Sequence, residues 1–235
     1  MRSGRKLSAL GVVAGGLTIV GPLLAYLGAV RPIVGFGFFA VGGILAVLLA
    51  VGAIVRLVRG RGLNPGSATS LLVAAVFVGL IVSGSDHPRI NDFTTDANDP
   101  PALRFAATLP ENHGRDLSYP PGFAAVQQQC CGDLQSVHVP VSPAEALERA
   151  RRLAETQPTW RLTQTDPAAG TVEAVATSRL FHFKDDIVIR VRPQGQGGSL
   201  VDMRSKSRDG QGDFGVNAAR IRQFMVALRT ADGTQ

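Results

Sequence analysis

The residues of this sequence that are best suited to chemistry lie between positions 184 and 220. Two adjacent aspartates follow a lysine there, and a later Arg/Ser stretch runs through a glycine-bearing loop into a predicted helix. Such a loop gathers backbone N–H groups and the positive end of the helix dipole, which together suit an anion. The candidate site residues are Lys184, Asp185, Asp186, Arg204, Ser205, Ser207, Arg208, Asp213, Asn217 and Arg220.

The charges of these residues allow two interpretations. In one, the arginines hold a small anionic ligand, and Asp185, Asp186 or Asp213 acts as the acid or base of a hydrolase or transferase. In the other, the same aspartates form a buried ion-pair network with the arginines, or Asp213 caps the helix. The domain has no Ser-His-Asp order, no HExxH and no paired-cysteine metal motif. We therefore assign no catalytic residue, metal or cofactor, and we lean against an enzyme.

The elements that must position these residues form a predicted α+β domain over residues 136–235. Its first helix starts at a capping box, Ser142-Pro143-Ala144-Glu145, and its strands are bounded by turn residues. The predicted strands are 137–141, 160–165, 171–179, 187–193 and 200–207, and the closing helix is 214–229. The order β-α-β-β-β-β-α predicts an antiparallel sheet with two helices on one face. The other face carries charges, and we expect a cross-strand pair there between Arg190 and Asp202.

The segment over residues 86–135 connects this domain to the N-terminal part of the chain. It is rich in proline and other turn formers and shows no useful periodicity, so we predict an irregular segment. It is long for an ordinary loop. Its apolar residues favour partial docking against the domain, since disordered chains usually lack them. They are Ile90, Phe93, Leu103, Phe105 and Phe123.

The only two cysteines, Cys130 and Cys131, are adjacent in this segment. Adjacent cysteines can form a disulfide only through a strained ring, because a trans peptide fixes their Cα atoms about 3.8 Å apart. A redox-active vicinal disulfide is therefore the bolder interpretation, and two thiols without a role is the default. Metal ligation with His113 or His138 has no supporting spacing.

Three apolar runs precede this segment, at about residues 7–30, 33–55 and 66–84. A membrane span needs about 20 mostly apolar residues. The first two runs meet this length easily, and the third reaches it only with the small residues at its ends. Gly11-x-x-x-Gly15 has the spacing of a helix-packing seam, which we assign to packing among the chain's own three helices.

The net charge of +6 is distributed unevenly along the chain. Residues 1–85 carry seven basic side chains and no acid, whereas residues 86–235 carry 17 basic and 18 acidic side chains, a net charge of 17 − 18 = −1. The second part therefore lacks the basic excess of a nucleic-acid-binding domain. The basic residues before the first span and between the second and third predict a cytoplasmic N-terminus. They are Arg2, Arg5, Lys6, Arg56, Arg59 and Arg61.

Several of these residues together resemble the DUF1499 family, a bacterial and plastid group of unknown function. The resemblance rests on Phe183-Lys184-Asp185-Asp186, Arg204-Ser205-x-Ser207-Arg208-x-Gly210 and Asp213-x-Gly215-x-Asn217-x-x-Arg220-Ile221. The stretch Ile90 to Leu103, with Thr94-Thr95-Asp96 and Pro100-Pro101, resembles the leading segment of membrane-anchored members. The resemblance covers about residues 90–230 and implies no mechanism. Cys130 and Cys131 depart from it, so no role of the thiols follows from the family.

These observations predict a multi-pass protein of the bacterial inner membrane with its C-terminal domain in the periplasm. We expect the lipid bilayer as one partner, an envelope protein or a small anionic ligand as another, and no nucleic acid. The domain would serve as an envelope binding or scaffold module. Two other functions stay open, a hydrolase or transferase at the aspartates and a lipid-binding domain at the membrane surface.

Overall fold

The computed structural model describes residues 2–84 and 86–230, with side chains from Ser8 onward. The side chains of Arg2, Arg5 and Lys6, on which the predicted orientation partly depends, lie outside that description. The described residues divide into two compact units. One contains the residues up to Asp86 together with Arg179–His182, and the other contains His87–Ser178 and the residues from Phe183 onward.

The first unit contains three long helices, α1 (Arg2–Tyr26), α2 (Pro32–Val58) and α3 (Pro65–Gly84). All three are long and apolar enough to cross a membrane, by length and composition. The predicted third span, which reaches a membrane-spanning length only with its small end residues, is one of them. The first helix ends at Tyr26, earlier than predicted, because Gly28 takes a positive φ of 69° and closes the helix. The Ala29 N–H then donates to Leu24 O at 2.9 Å.

Glycines bring these helices into direct contact. A Cβ placed on Gly11 would lie 2.2 Å from Gly66 O, and one on Gly21 would lie 2.4 Å from Gly35 O. A Cβ on Gly15 would lie 2.7 Å from the Thr69 side chain. The seam predicted at Gly11-x-x-x-Gly15 therefore faces α3 and serves packing within the chain.

The predicted antiparallel sheet domain with helices, preceded by three apolar helices, is confirmed. Its strands lie in the order β1-β6-β5-β4-β3, and β2 also pairs with β6. All pairings are antiparallel. The elements are β1 (Asp92–Thr94), α4 (Phe123–Cys131), β2 (Val137–Val139), α5 (Pro143–Glu155), β3 (Trp160–Asp166), β4 (Thr171–Thr177), β5 (Lys184–Gln194), β6 (Gly198–Ser207) and α6 (Val216–Thr230).

The connecting segment 86–135 is more regular than predicted. It contains β1, α4 and two short 3-10 turns at 106–108 and 110–112. Ile90, Phe93 and Leu103 are fully buried, so the expected docking of this segment against the domain does occur. β1 was not predicted because it takes its regularity from pairing with distant β6, and periodicity within the segment cannot show that.

Both faces of the sheet are covered. On one face, Ile187, Ile189 and Met203 pack with apolar residues of α5 and α6 in the main core. On the other face, Val188 packs with Leu103 and Ala106 of the connecting segment. Side chains that alternate along β5 and β6 therefore enter two different buried environments.

Candidate functional site

The alternation of β5 and β6 divides the predicted site residues between the two sheet faces. Asp186 lies opposite Lys206, and Val188 lies opposite Arg204, on the face covered by the connecting segment. Asp185 lies opposite Ser207, and Ile187 opposite Ser205, on the face covered by the helices. The structure thus places the candidate residues in separate clusters and not in one site.

The first cluster surrounds Asp92 of β1, which is fully buried. Its carboxylate accepts two hydrogen bonds from Arg204, at 2.9 Å from Nε and 2.7 Å from Nη2. Lys206 Nζ donates to the same carboxylate at 3.0 Å. Arg204 also donates to the carbonyl oxygens of Pro101 and Leu117 at 3.1 and 2.8 Å. A bidentate arginine–carboxylate pair of this kind fixes both side chains in position.

The second cluster surrounds Asp186, which is also fully buried. Arg208 donates to it from Nη2 at 2.6 Å and from Nε at 3.0 Å. Arg115 and Asn112 of the connecting segment donate to the second carboxylate oxygen at 3.2 and 3.1 Å. Arg115 also donates to Ser207 O at 2.9 Å, which ties the segment to the end of β6.

The same face carries a third cluster at the other end of the strands. Arg190 Nε donates to Asp202 at 3.0 Å, which is the predicted cross-strand pair. Arg192 pairs with Asp202 at 2.9 Å and with Asp96 at 3.0 Å. The connecting segment is therefore held to this face by ion pairs along the length of the sheet.

The helix-facing residues form a polar network at the start of α6. Arg220 pairs with Asp185 at 2.7 Å and donates to Ser205 Oγ at 2.9 Å. Asn217 accepts from Ser205 Oγ at 2.6 Å and donates to Ser207 Oγ at 2.9 Å. Buried hydroxyls and amides that satisfy one another in this way specify one arrangement of helix and strand.

Asp213 caps α6, as one of the two sequence interpretations proposed. Its carboxylate accepts from the Gly215 and Asn217 N–H groups at 3.0 and 2.6 Å. These are the N–H groups that an anion at this helix end would need. Burial is the largest influence on the Asp213 carboxyl and raises its pKa, although the two backbone hydrogen bonds act in the opposite direction.

Lys184 takes no part in these clusters. Its side chain is 44% exposed and lies 3.9 Å from Glu111. Sequence reasoning missed the partners that the connecting segment contributes, namely Asp92, Arg115 and Asn112. Their pairing with Arg204 and Asp186 spans 71 to 112 positions of chain, and no local spacing indicates it.

Beside the first cluster lies an open cleft of about 500 Å³. Apolar side chains form most of its wall, and Ser118, Tyr119 and Arg204 supply its polar groups. The lining residues are Ala97, Pro100, Ala102, Leu103, Leu117, Ser118, Tyr119, Pro121, Ala124 and Arg204. The Arg204 guanidinium carbon lies 5.6 Å from the centre of the Tyr119 ring. Burial of Tyr119 raises the pKa of its hydroxyl to about 12, so the hydroxyl is protonated and neutral at physiological pH.

Arg204, a buried residue of the cleft wall, has one N–H group more than the hydrogen bonds that it makes within the protein. A guanidinium has five N–H groups, two of them on each terminal nitrogen. Asp92, Pro101 and Leu117 accept four of them, and only Pro101 O accepts from Nη1. Among the described residues, the second Nη1 hydrogen therefore has no partner.

The two cysteines are free thiols in the structure, with Cys130 exposed and Cys131 buried. Desolvation raises the pKa of Cys130 to about 12, which suppresses its reactive thiolate form. Within residues 2–84 and 86–230, no three His, Cys, Asp or Glu side chains are grouped so that they could hold a metal ion.

The fold and the polar clusters together define a class of protein. It has three membrane-type helices followed by an α+β domain, and ion pairs hold the covering elements to both faces of the sheet. The model of one protein family, described as a protein of unknown function (DUF1499), matches residues 92–228. The chain belongs to this family. The matched region starts at Asp92, the centre of the first ion-pair cluster, and ends at Leu228 in α6. A comparison with curated proteins finds no match.

Proposed function

We propose that this chain is a multi-pass protein of the bacterial inner membrane whose extracytoplasmic domain is a binding module and not an enzyme. The observation that carries the proposal is the pairing of the family-motif arginines. Arg204 pairs with Asp92, Arg208 with Asp186 and Arg220 with Asp185, and all three aspartates are buried. Charges engaged in this way hold a fold together, and they leave little for an anionic substrate.

The same pairing argues against a hydrolase or transferase at Asp185, Asp186 or Asp213. Asp185 and Asp186 are each bonded to arginine, and Asp213 is engaged by two backbone N–H groups. A general base needs a lone pair directed at a substrate proton. Asp186 and Asp213 direct both carboxylate oxygens at groups of the protein itself, and Asp185 directs its Oδ2 at Arg220.

The binding site that we propose is the cleft beside Arg204 and Tyr119. Its apolar wall and its remaining arginine N–H suit a small amphipathic molecule that presents an acceptor oxygen to Arg204. Asp92 neutralises Arg204 locally, and Lys206 Nζ lies 3.0 Å from the same carboxylate. The carboxylates of Asp92 and Asp116 together balance Arg204 and Lys206, so the acceptor oxygen of the ligand need carry no charge.

Native mass spectrometry of the full chain in detergent tests this binding. We expect a small co-purifying mass that is lost in Ala124→Leu, because Ala124 lines the cleft. Ala125→Leu is the matched control, since Ala125 is the next residue of α4, is exposed and does not line the cleft. Wild-type protein that carries no bound mass, or equal retention by both variants, would remove the cleft as the site.

The proposed orientation has its own test. A C-terminal alkaline phosphatase fusion after Thr230 should be active, because three spans carry the domain away from the cytoplasm. A fusion after Gly62, between α2 and α3, is the matched control and should be inactive. Activity of the Gly62 fusion alone would reverse the orientation without affecting the binding proposal.

A further inference from the structure

Exposed apolar residues of the sheet domain are concentrated at one end of the sheet. Among the described residues of the second unit, the large hydrophobic side chains that are exposed are Phe214, Val216 and Val226. Phe214 and Val216 lie in the connection from β6 to α6, at the end of the sheet where the connection from β4 to β5 also lies. Thr177 pairs with Lys184, and Asp185 with Ser207, so both connections leave the sheet at the same end.

Phe214 is held outward by an unusual backbone conformation. Its φ of 53° lies in the left-handed region, which a bulky residue rarely adopts. The cap formed by Asp213 fixes the chain on both sides, through its bonds to the Gly215 and Asn217 N–H groups. Phe214 is 60% exposed, the largest exposure among these three apolar residues of the second unit. A strained backbone that displays an aromatic ring indicates a selected function.

The chain that follows α3 is fixed beside Phe214. A Cβ on Gly215 would lie 2.0 Å from the ring of His87, so this ring packs directly on the Gly215 backbone. Asn91 donates to Gly210 O at 2.7 Å, and the Ser207 N–H donates to Asn91 O at 2.8 Å. Residues 87–91 therefore run along the loop that contains Phe214.

The covalent distance from this point to the membrane helix is short. α3 ends at Gly84, and three residue steps lead from Gly84 to His87. Three steps of extended chain reach at most about 11 Å. The 20 residues of α3 span about 30 Å, the thickness of the hydrocarbon layer, so Gly84 would lie at its boundary. His87 and its neighbour Phe214 then stay within reach of the head-group region.

We propose that Phe214 and Val216 insert into the head-group region of the bilayer that holds α3. The occupant is the lipid surface because the short tether from α3 to His87 keeps the Phe214 loop within reach of the head-group region. In the second unit, exposed Arg89 is balanced by Asp209, so burial of apolar surface and not net charge drives the contact. The proposal requires α3 to lie in a bilayer, but neither a particular side nor a ligand.

Tryptophan fluorescence of the full chain in phospholipid nanodiscs tests the insertion. Trp160 is first replaced by phenylalanine, because it is the only tryptophan of the sequence. Phe214→Trp in this background should then lose roughly half of its emission when the lipid carries bromine near the head-group end of its acyl chains, as expected for a side chain at that depth. Val216→Trp gives a second probe at a position with ordinary helical geometry, should Phe214→Trp fail to fold.

Gln196→Trp is the matched control. Gln196 is exposed in the turn between β5 and β6, at the opposite end of the 11-residue strand β5. It should keep its emission in the brominated nanodiscs. Equal quenching at positions 214 and 196, whether strong or weak, overturns the proposal. Because bromine quenching does not depend on which side the domain lies, this result is independent of the phosphatase and mass-spectrometry outcomes.

Discussion

Helices α1–α3 and the sheet domain differ in what fills the space between their elements. The helices meet through glycine and alanine, with a backbone carbonyl 2.0 Å from where a Cβ on Gly66 would stand. The domain instead buries aspartates between its sheet and the connecting segment, and each aspartate is paired with arginine or lysine. The helices are thus matched by shape and the domain largely by paired charge.

The difference follows from the surroundings that each region meets during folding. In lipid, apolar side chains gain little by leaving the solvent, so close approach of backbones supplies the helix contacts. A sheet that is covered on both faces must satisfy every polar group that it buries. The first region should therefore be sensitive to an added methyl group, and the second to a removed charge.

The largest effect should come from Asp92→Asn. This near-isosteric change leaves Arg204 and Lys206 without their carboxylate inside the domain. Removal of one partner of a buried ion pair costs about 3–5 kcal/mol of the free energy of unfolding. Urea unfolding, followed by the fluorescence of Trp160 stacked on Phe224 at 5.4 Å, measures this loss. A loss below about 1 kcal/mol would show that the pair contributes no more than a surface pair does.

A smaller effect is expected for Gly66→Ala in the helices. The added methyl group would overlap the backbone of Ser8, which cannot move as a side chain would. Overpacking of this kind costs about 1–3 kcal/mol. Thermal unfolding in detergent should show the loss, with Gly79→Ala as control, because a Cβ at Gly79 meets no atom within 4 Å. Equal melting temperatures of the two variants would contradict the idea that the helices fit together by shape.

The buried carboxyl of Glu173 should make the stability of the domain depend on pH. It accepts from the Phe105 and Ala106 N–H groups at 2.8 Å each, and burial, as the largest influence, raises the pKa of its carboxyl. A carboxyl whose pKa is raised in the folded state adds to the free energy of unfolding. This added stability is complete below the ordinary pKa of about 4.3 and is lost as the pH rises through the folded-state pKa.

The variant Glu173→Gln, which mimics the protonated acid, isolates this contribution. The unfolding free energy of the wild type minus that of the variant should fall as pH rises from about 4 to 7. Urea titrations of both proteins across this range measure the difference, and Asp213 cancels because it is present in both. A difference that stays constant or rises would contradict the raised pKa.

The smallest effect should come from Asp133→Asn. Asp133 pairs with Arg222 of α6, and both side chains are about half exposed. An exposed pair contributes about 0.2–1 kcal/mol and weakens with salt. Urea unfolding should show a small loss in the free energy of unfolding at low salt, and this loss should disappear at high salt. A loss as large as that of Asp92→Asn would mean that burial does not determine how much an ion pair contributes to the free energy of unfolding.

The architecture could largely be predicted from the sequence, because its signals are local. The capping box at Ser142 is present, with the Glu145 N–H donating to Ser142 Oγ. The alternation along β5 and β6 gave the hairpin and the Arg190–Asp202 pair. The helix α4 was missed because its nine residues FAAVQQQCC follow two prolines and carry a weak apolar pattern.

The grouping of the candidate site could be predicted only in part. Asp185 and Asp186 do pair with arginines, as one interpretation expected, but on opposite faces of the sheet. Alternation of neighbouring residues could have indicated this division. The partner of Arg204 could not have been found, since Asp92 lies 112 positions earlier, in a strand of three residues.

That separation also sets the order of events on the ribosome. Asp92 is synthesised 112 residues before Arg204, which corresponds to roughly 6–22 s at ordinary rates of translation. During this interval the nascent chain holds a carboxylate without its arginine and a β1 segment without its neighbour. The sheet can close only when β6 has been made. The sheet domain of a growing chain must therefore stay incomplete until β6 has been made, and it would depend on whatever shields such segments from aggregation in the cell.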